Sequence, residues 1–212
     1  MRWLQLAILG VVLAGQAHGE DIVDVLRRSQ QQRLDAMPRA RTGDRARIVR
    51  SSFEKACKAV KPDMEVDLVV VTGATTAETL HGHIVVANES LADLPEGERL
   101  FILAHEIGHV VGDHWQQMGG LYRRWIPGEV TPAQTDPVAG LLGRDASGLA
   151  HRQELEADAF ALQALRKLGF DPDVAVSAFM RQGMQQDTAT HPGTRKRLAA
   201  LRAAMLEVAA LH

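Results

Sequence analysis

The chain has 212 residues, 24% of them charged and 46% hydrophobic, with a formal net charge of −2. That length buries a core without covalent staples, and a single cysteine, Cys57, excludes an intrachain disulfide framework. The near-neutral balance gives no basic face of the kind nucleic acid requires, and after the N-terminus no apolar run approaches the ~20 residues that span a bilayer.

Met1-Arg2 supplies a positive start, Trp3 to Leu13 an apolar stretch and Ala14 to Gly19 small residues, a pattern that predicts a secretory signal peptide over residues 1–19. Cleavage is expected after Ala17 or Gly19, with export to the periplasm, or secretion as the alternative. No cysteine lies near the cleavage region to accept a lipid. Residues 20–212 then read as a single domain, with N-terminal helices over 20–62 ahead of a core over 63–212.

Ile22, Val25, Leu26 and Leu34 predict a helix from Asp21 to about Met37, ended by Pro38. A second helix, capped by Asp44, buries Ile48, Val49, Phe53, Ala56, Cys57 and Val60 and closes at Lys61-Pro62-Asp63. Val66 to Thr72 and His83 to Val86 are short β-branched runs, expected to pair as a hairpin or to share one small sheet, with residues 73–82 as their connection.

Asp93-Leu94-Pro95-Glu96 looks like a capped helix start, and the helix it launches is expected to reach about Met118, where Gly119-Gly120 ends it. Pro127, Pro132 and Pro137 with several glycines predict a long loop or a set of short turns over 121–147, with Trp125 pinning it to the body or touching substrate. A helix opens near Gly148, contains Glu154 to Leu168 and stops at Gly169. Another runs from Asp171-Pro172 to about Gln186. A last helix carries Leu198, Leu201, Met205, Val208 and Leu211 at helical spacing, and Met180, Met184 and Met205 are expected to fill gaps between helices.

The chemistry is concentrated in His105-Glu106-Ile107-Gly108-His109. Histidines four apart sit about 40° apart on one helix face and can converge on one ion, while the glutamate beside the first can reach a metal-activated water as a base. Leu100 to Ala104 before the motif and Val110-Val111 after it make this helix apolar nearly all round, so three polar side chains in it need compensating partners. A catalytic zinc takes a third protein ligand. Glu154 is the stronger candidate, with Asp158 four residues on and so placed to accept the outer N–H of a ligating histidine. His114, five residues after His109, is either a ligand displaced by one from a metzincin spacing or a solvated or hydrogen-bonded helix histidine. Glu156 points away from Glu154 and reads as a surface charge or helix-pair partner.

Taken together, the His-Glu-Ile-Gly-His run, Glu154-Leu155-Glu156-Ala157-Asp158, Thr190-His191-Pro192 and Arg197 resemble the HtpX/BepA/LoiP-type gluzincin peptidases across roughly residues 82–201. The resemblance implies an α+β, mostly helical zincin-like domain with a small sheet beside the active-site helix. It implies one Zn²⁺ held by His105, His109 and Glu154, with Glu106 as the base. The transmembrane helices and tetratricopeptide extension of some members have no counterpart here, so the chain reads as a minimal exported form.

His191 has two functional roles open to it, donating to the oxyanion of the tetrahedral intermediate or, neutral, closing the fourth zinc position; a plain helix-entry role is the third. Arg197 either stabilises the same negative charge or anchors a loop through a carboxylate. The expected function is a zinc endopeptidase acting on unfolded or misassembled envelope polypeptides laid along the strand His83 to Ala87. The alternatives are a non-catalytic periplasmic chaperone with a closed structural zinc site, and a zinc hydrolase of non-peptide substrates. His81, His83, His151 and His212 receive no role.

Overall fold

The computed structural model describes residues 20–209; the leader pattern of residues 1–19, Leu211 and His212 lie outside the described residues, as does the side chain of Val208. Helix α1 (Ile22–Ala36) starts where the Asp21 carboxylate accepts the Val23 N–H at 2.7 Å, and it stops before Pro38. Helix α2 (Asp44–Val60) begins after the extended Gly43, so Asp44 is not its cap but lies in the first turn and pairs with Arg47. Its buried face is Ala46, Val49, Ser52, Phe53 and Ala56, and Ile48 is turned out to solvent. Lys61 ends the helix in a left-handed conformation.

The sheet has three strands, β1 (Asp67–Val71), β2 (Ala77–Leu80) and β3 (Ile84–Asn88), in the order β1-β3-β2. The two runs read from sequence do share a sheet, but they pair in parallel, Asp67 opposite Ile84, rather than as a hairpin. The hairpin partner of β3 is β2, folded back by His81 and Gly82, both at positive φ. Ala77-Glu78-Thr79-Leu80 lacks the β-branched composition that marks a strand, which is why it reads as a connection. One expectation is overturned by this order: β3 is the central strand with both edges paired, so no substrate can add along His83 to Ala87.

A 3-10 turn at Glu89–Asp93, capped by the Asn88 side chain, leads into α3 (Glu96–Val111); Asp93 does not cap α3 and pairs instead with Arg45. Every residue of α3 from Gly97 to Gly108 is buried. The two buried charges near its start are satisfied, Glu98 by Arg181 at 2.5 and 3.0 Å and Arg99 by the Ser52 hydroxyl at 2.7 Å and the Leu94 carbonyl at 2.8 Å.

The helix ends at Gly112 and not near Met118. Asp113 at φ 54° breaks it, and α4 (His114–Trp125) runs through Gly119-Gly120. Gly119 serves a close approach, since a Cβ there would lie 3.2 Å from Val23 of α1.

The expected loop over 121–147 is largely helical: α5 (Pro132–Lys167) has 36 residues. Pro132 takes the first helical position, where its missing N–H is no loss, and the alanine and leucine content carries the helix past Pro137 and three glycines. Trp125 packs with Ile22, Val23, Ile126 and Leu142 and donates to Asp145 at 3.1 Å, pinning α4 to α5.

Helix α6 (Asp173–Gln182) stops at Gly183, φ 82°, short of Gln186, and α7 (Thr194–Ala209) follows. Met205 is partly buried against the core, but Met180 and Met184 are exposed and fill no gap between helices.

One hydrophobic cluster joins α2, β1, β3 and α3 to α5, α6 and α7, with α3 in the middle. The result is a mostly helical α+β domain of zincin type, its small sheet laid against the helix that carries the two histidines. None of the described helices is long and apolar enough to cross a membrane. Helices α3 and α5 cross at Gly108, where an added Cβ would lie 3.1 Å from Phe160 and 3.2 Å from the Ala157 Cα. That close crossing brings Glu154 opposite the histidine pair.

Candidate metal centre

The helical spacing of His105 and His109 stacks their rings edge to face with centroids 4.8 Å apart and leaves their Nε2 atoms 3.1 Å from each other. Glu154, arriving on α5, sets Oε1 3.3 Å from His109 Nε2 and Oε2 3.6 Å from His105 Nε2. One ligand atom from each of the three residues lies within 4.8 Å of the others. His105 and Glu154 are buried, at 8% and 6% exposure.

Outside this triangle, His105 Nδ1 is 3.0 Å from Asp158 Oδ1. Arg197, from α7, grips the same carboxylate through Nε at 2.8 Å and Nη2 at 2.6 Å, places Nη1 3.2 Å from Glu154 Oε2, and lies 4.7 Å over the Phe179 ring. Its fork is spent on two carboxylates.

This donor set fits a divalent cation. With the His105 Nδ1 proton directed to Asp158, that ring's Nε2 carries a lone pair, and it faces a second imidazole nitrogen and a carboxylate. Glu154 Oε2, fully buried, receives no hydrogen bond of good geometry. Nitrogen and oxygen donors converging in a nearly dry pocket suit zinc.

The charges are strongly coupled. Burial alone would raise the Glu154 carboxyl, but the bond with His109 and the charges of His105, His191 and Arg197 outweigh it and hold it far below the usual carboxylate range. Asp158 is likewise held low, its desolvation overcome by the bonds from Arg197 and His105. For His105 burial favours the neutral ring, yet the Asp158 bond and the two carboxylate charges raise its pKa.

Glu106 is buried beside the triangle at 7% exposure, and its Oε2 lies 2.8 Å from the Thr79 hydroxyl, which is also 2.9 Å from the Glu106 carbonyl. Thr79 is a contact that sequence reasoning missed, because β2 carries no strand signal.

His191 stands at the open mouth with its side chain 56% exposed, Nε2 3.6 Å from Glu154 Oε1 and Nδ1 2.8 Å from the Thr190 hydroxyl. Desolvation at the mouth outweighs the Glu154 charge and keeps its pKa below the ordinary imidazole value. The segment carrying it, residues 183–193, is clipped together. Asp187 accepts the Gly193 N–H at 2.6 Å, and the Thr194 hydroxyl bridges Gly183 O at 3.1 Å and Gln185 N at 2.9 Å. His151, silent in the sequence, ties this clip to α5 through Nε2 to Thr188 O at 2.8 Å.

His114 is not among the converging atoms. It is buried at 5% exposure, and its Nδ1 is 2.8 Å from His109 Nδ1, so of its two readings the hydrogen-bonded one describes its place. Burial, then the neighbouring His109, lowers its pKa to about 4. Glu156 Oε2 lies 3.3 Å from its Nε2. His81 and His83 sit at the β2–β3 turn, where His83 Nδ1 lies 3.1 Å from the His81 carbonyl.

Compared with known proteins, residues 39–125 and 132–205 match the family model of peptidase family M48. No curated protein matches the chain.

Proposed function

We propose, on the premise that the chain belongs to peptidase family M48 and is a zinc metallopeptidase, that it is an endopeptidase in which His105, His109 and Glu154 hold the zinc and Glu106 is the general base. The observation that carries this reading is the meeting of a paired-imidazole turn with a carboxylate from a helix some fifty residues away, beside a buried glutamate with one oxygen uncommitted. Zinc bound there supplies Lewis-acid polarisation of the scissile carbonyl and of the attacking water.

The chain's own residues do the rest. Glu106 Oε2 is held by Thr79, leaving Oε1 to take a proton from the attacking water and deliver it to the leaving amine. Asp158 fixes the His105 ring, and Arg197 serves as the carboxylate anchor for Asp158 and Glu154, the second of the roles open to it. His191, exposed at the mouth with its Nδ1 beside Thr190, is placed to donate from Nε2 to the developing oxyanion.

Substrate is expected on β2. Among the described residues this strand pairs only with β3, and its Thr79 touches Glu106, so its outer edge runs past the base. An extended peptide added there gains main-chain hydrogen bonds that ignore side chains, which favours unfolded or flexible polypeptides. The leader-like pattern of Met1 to Gly19 supports export to the periplasm and hence envelope proteins as targets.

Purified protein is expected to cleave an unstructured casein-type substrate and to lose that activity to a chelator. Glu106→Gln is expected to lower the rate by about 10²–10⁴-fold with one zinc per chain retained. Cleavage by Glu106→Gln at the parent rate overturns the mechanism.

A further inference from the structure

We propose that His114, backed by Glu156, is the positioning residue for His109: its ring accepts the outer N–H of that imidazole and so fixes the tautomer that turns Nε2 toward the metal. The proposal rests on the reading of His105, His109 and Glu154 as zinc ligands.

An imidazole that gives Nε2 to a metal carries its proton on Nδ1, and a buried N–H needs an acceptor. For His105 that acceptor is the Asp158 carboxylate. For His109 the partner of Nδ1 is His114 Nδ1 at 2.8 Å, between rings 4.9 Å apart and nearly perpendicular. The bond works in one arrangement only. His109 Nδ1 donates, His114 Nδ1 offers its lone pair, and the His114 proton sits on Nε2, facing Glu156 Oε2 at 3.3 Å. That last contact is off the line of a good hydrogen bond, but the Glu156 side chain is 62% exposed and free to swing into alignment.

The fold commits local strain to this placement. Asp113 adopts φ 54°, which turns the chain so that the first residue of α4 lies beside the last turn of α3. At Gly112 the His114 ring occupies the space a side chain would need, since a Cβ there would be 2.3 Å from Nε2. From α5, Gln153 donates to the His114 carbonyl at 3.2 Å. The five-residue spacing from His109 thus makes His114 a partner for that ring's far side, where a ligand would have to face the centre.

The test measures zinc affinity by chelator competition, together with the visible spectrum of the cobalt form, for the parent, His114→Asn, His114→Phe and Glu156→Ala. Asparagine places an amide oxygen near the position of Nδ1, whereas phenylalanine keeps the ring's bulk and removes the acceptor. His114→Phe is expected to bind zinc about 10–100-fold more weakly, with an altered cobalt spectrum, and His114→Asn to stay within about threefold of the parent. A residue that only packs gives the opposite order, phenylalanine tolerated and asparagine not, and that order overturns the proposal. Glu156→Ala, at an exposed position safe for the fold, is expected to weaken zinc at least about threefold and decides the matter alone should His114→Phe not fold. A parent that binds zinc with all variants binding equally well removes this proposal and leaves the metal centre standing. A parent that takes up no zinc removes both.

Discussion

Arg197 shows how much of the centre one side chain sustains. It lies between Asp158 and Glu154 with its side chain 14% exposed, and its loss leaves two buried carboxylates with only histidines to face them. Arg197→Met is therefore expected to destabilise the metal-free protein by about 3–5 kcal/mol, read from urea unfolding in the presence of a chelator. The same carboxylates set an acid limit. Both have folded pKa values below their ordinary 3.8 and 4.5, so their contribution is present above those values and is lost as pH falls through the depressed ones. The carboxylate contribution to the metal-free protein should hold from pH 7 to about 5 and decline below that. It adds to an earlier loss from His114, which is held neutral with its pKa lowered to about 4 and so costs stability as pH falls below the ordinary imidazole value. Asp158→Asn should flatten the lower part of the decline while lowering the plateau. A decline unchanged by Asp158→Asn would place the acid-sensitive group elsewhere. At this scale the sequence was informative about the histidine pair, Glu106, Glu154 and Asp158, because helical spacing alone puts each on a definite face. It was silent on Thr79 and His151, whose partners lie on other elements.

At the scale of elements, the decisive feature is the break between α3 and α4. A left-handed aspartate costs less than a branched residue would, because its short side chain tolerates that region. Asp113→Val is expected to cost about 1–2 kcal/mol in urea unfolding, and Asp113→Gly to cost nothing or to stabilise slightly. Equal stability of the three would mean that the turn carries no strain. The sequence places the stop at Gly119-Gly120, since a glycine pair is the stronger local signal, yet those glycines lie inside α4 where α1 packs closely. The predicted loop over 121–147 fails for a related reason: proline and glycine count as breakers until one sees that Pro132 occupies the first helical position. Strand β2 is the counterpart error, a strand made by its pairing with β3 and its turn at His81-Gly82 rather than by its composition.

At the scale of the whole molecule, the centre joins α3 to α5, and through Arg197 and the His191 clip to α7, so a bound ion links elements far apart in the chain. Free zinc at about 100 times its dissociation constant should stabilise the fold by about 2.7 kcal/mol, seen as a rise in Tm. Glu154→Ala should abolish most of that rise and also start from a lower metal-free Tm, because the carboxylate's contribution to the metal-free fold is lost with it. A full zinc-dependent rise in Glu154→Ala would exclude that residue as a ligand.

The sequence by itself determined the candidate chemistry and the residues proposed for it: the imidazole pair, the glutamate beside it, the later Glu-x-x-x-Asp turn and a mostly helical domain large enough to bury them. These are local properties, set by helix periodicity and residue type within a few turns. Only the tertiary structure decided that Glu154 meets the histidine pair, that β3 is central and β2, among the described residues, pairs on one side only, and that His114 lies behind His109. Each depends on how separate elements cross and pair, on a Gly108 close enough to Ala157 and a β2 folded onto β3, and no short window of sequence contains both partners of such a contact.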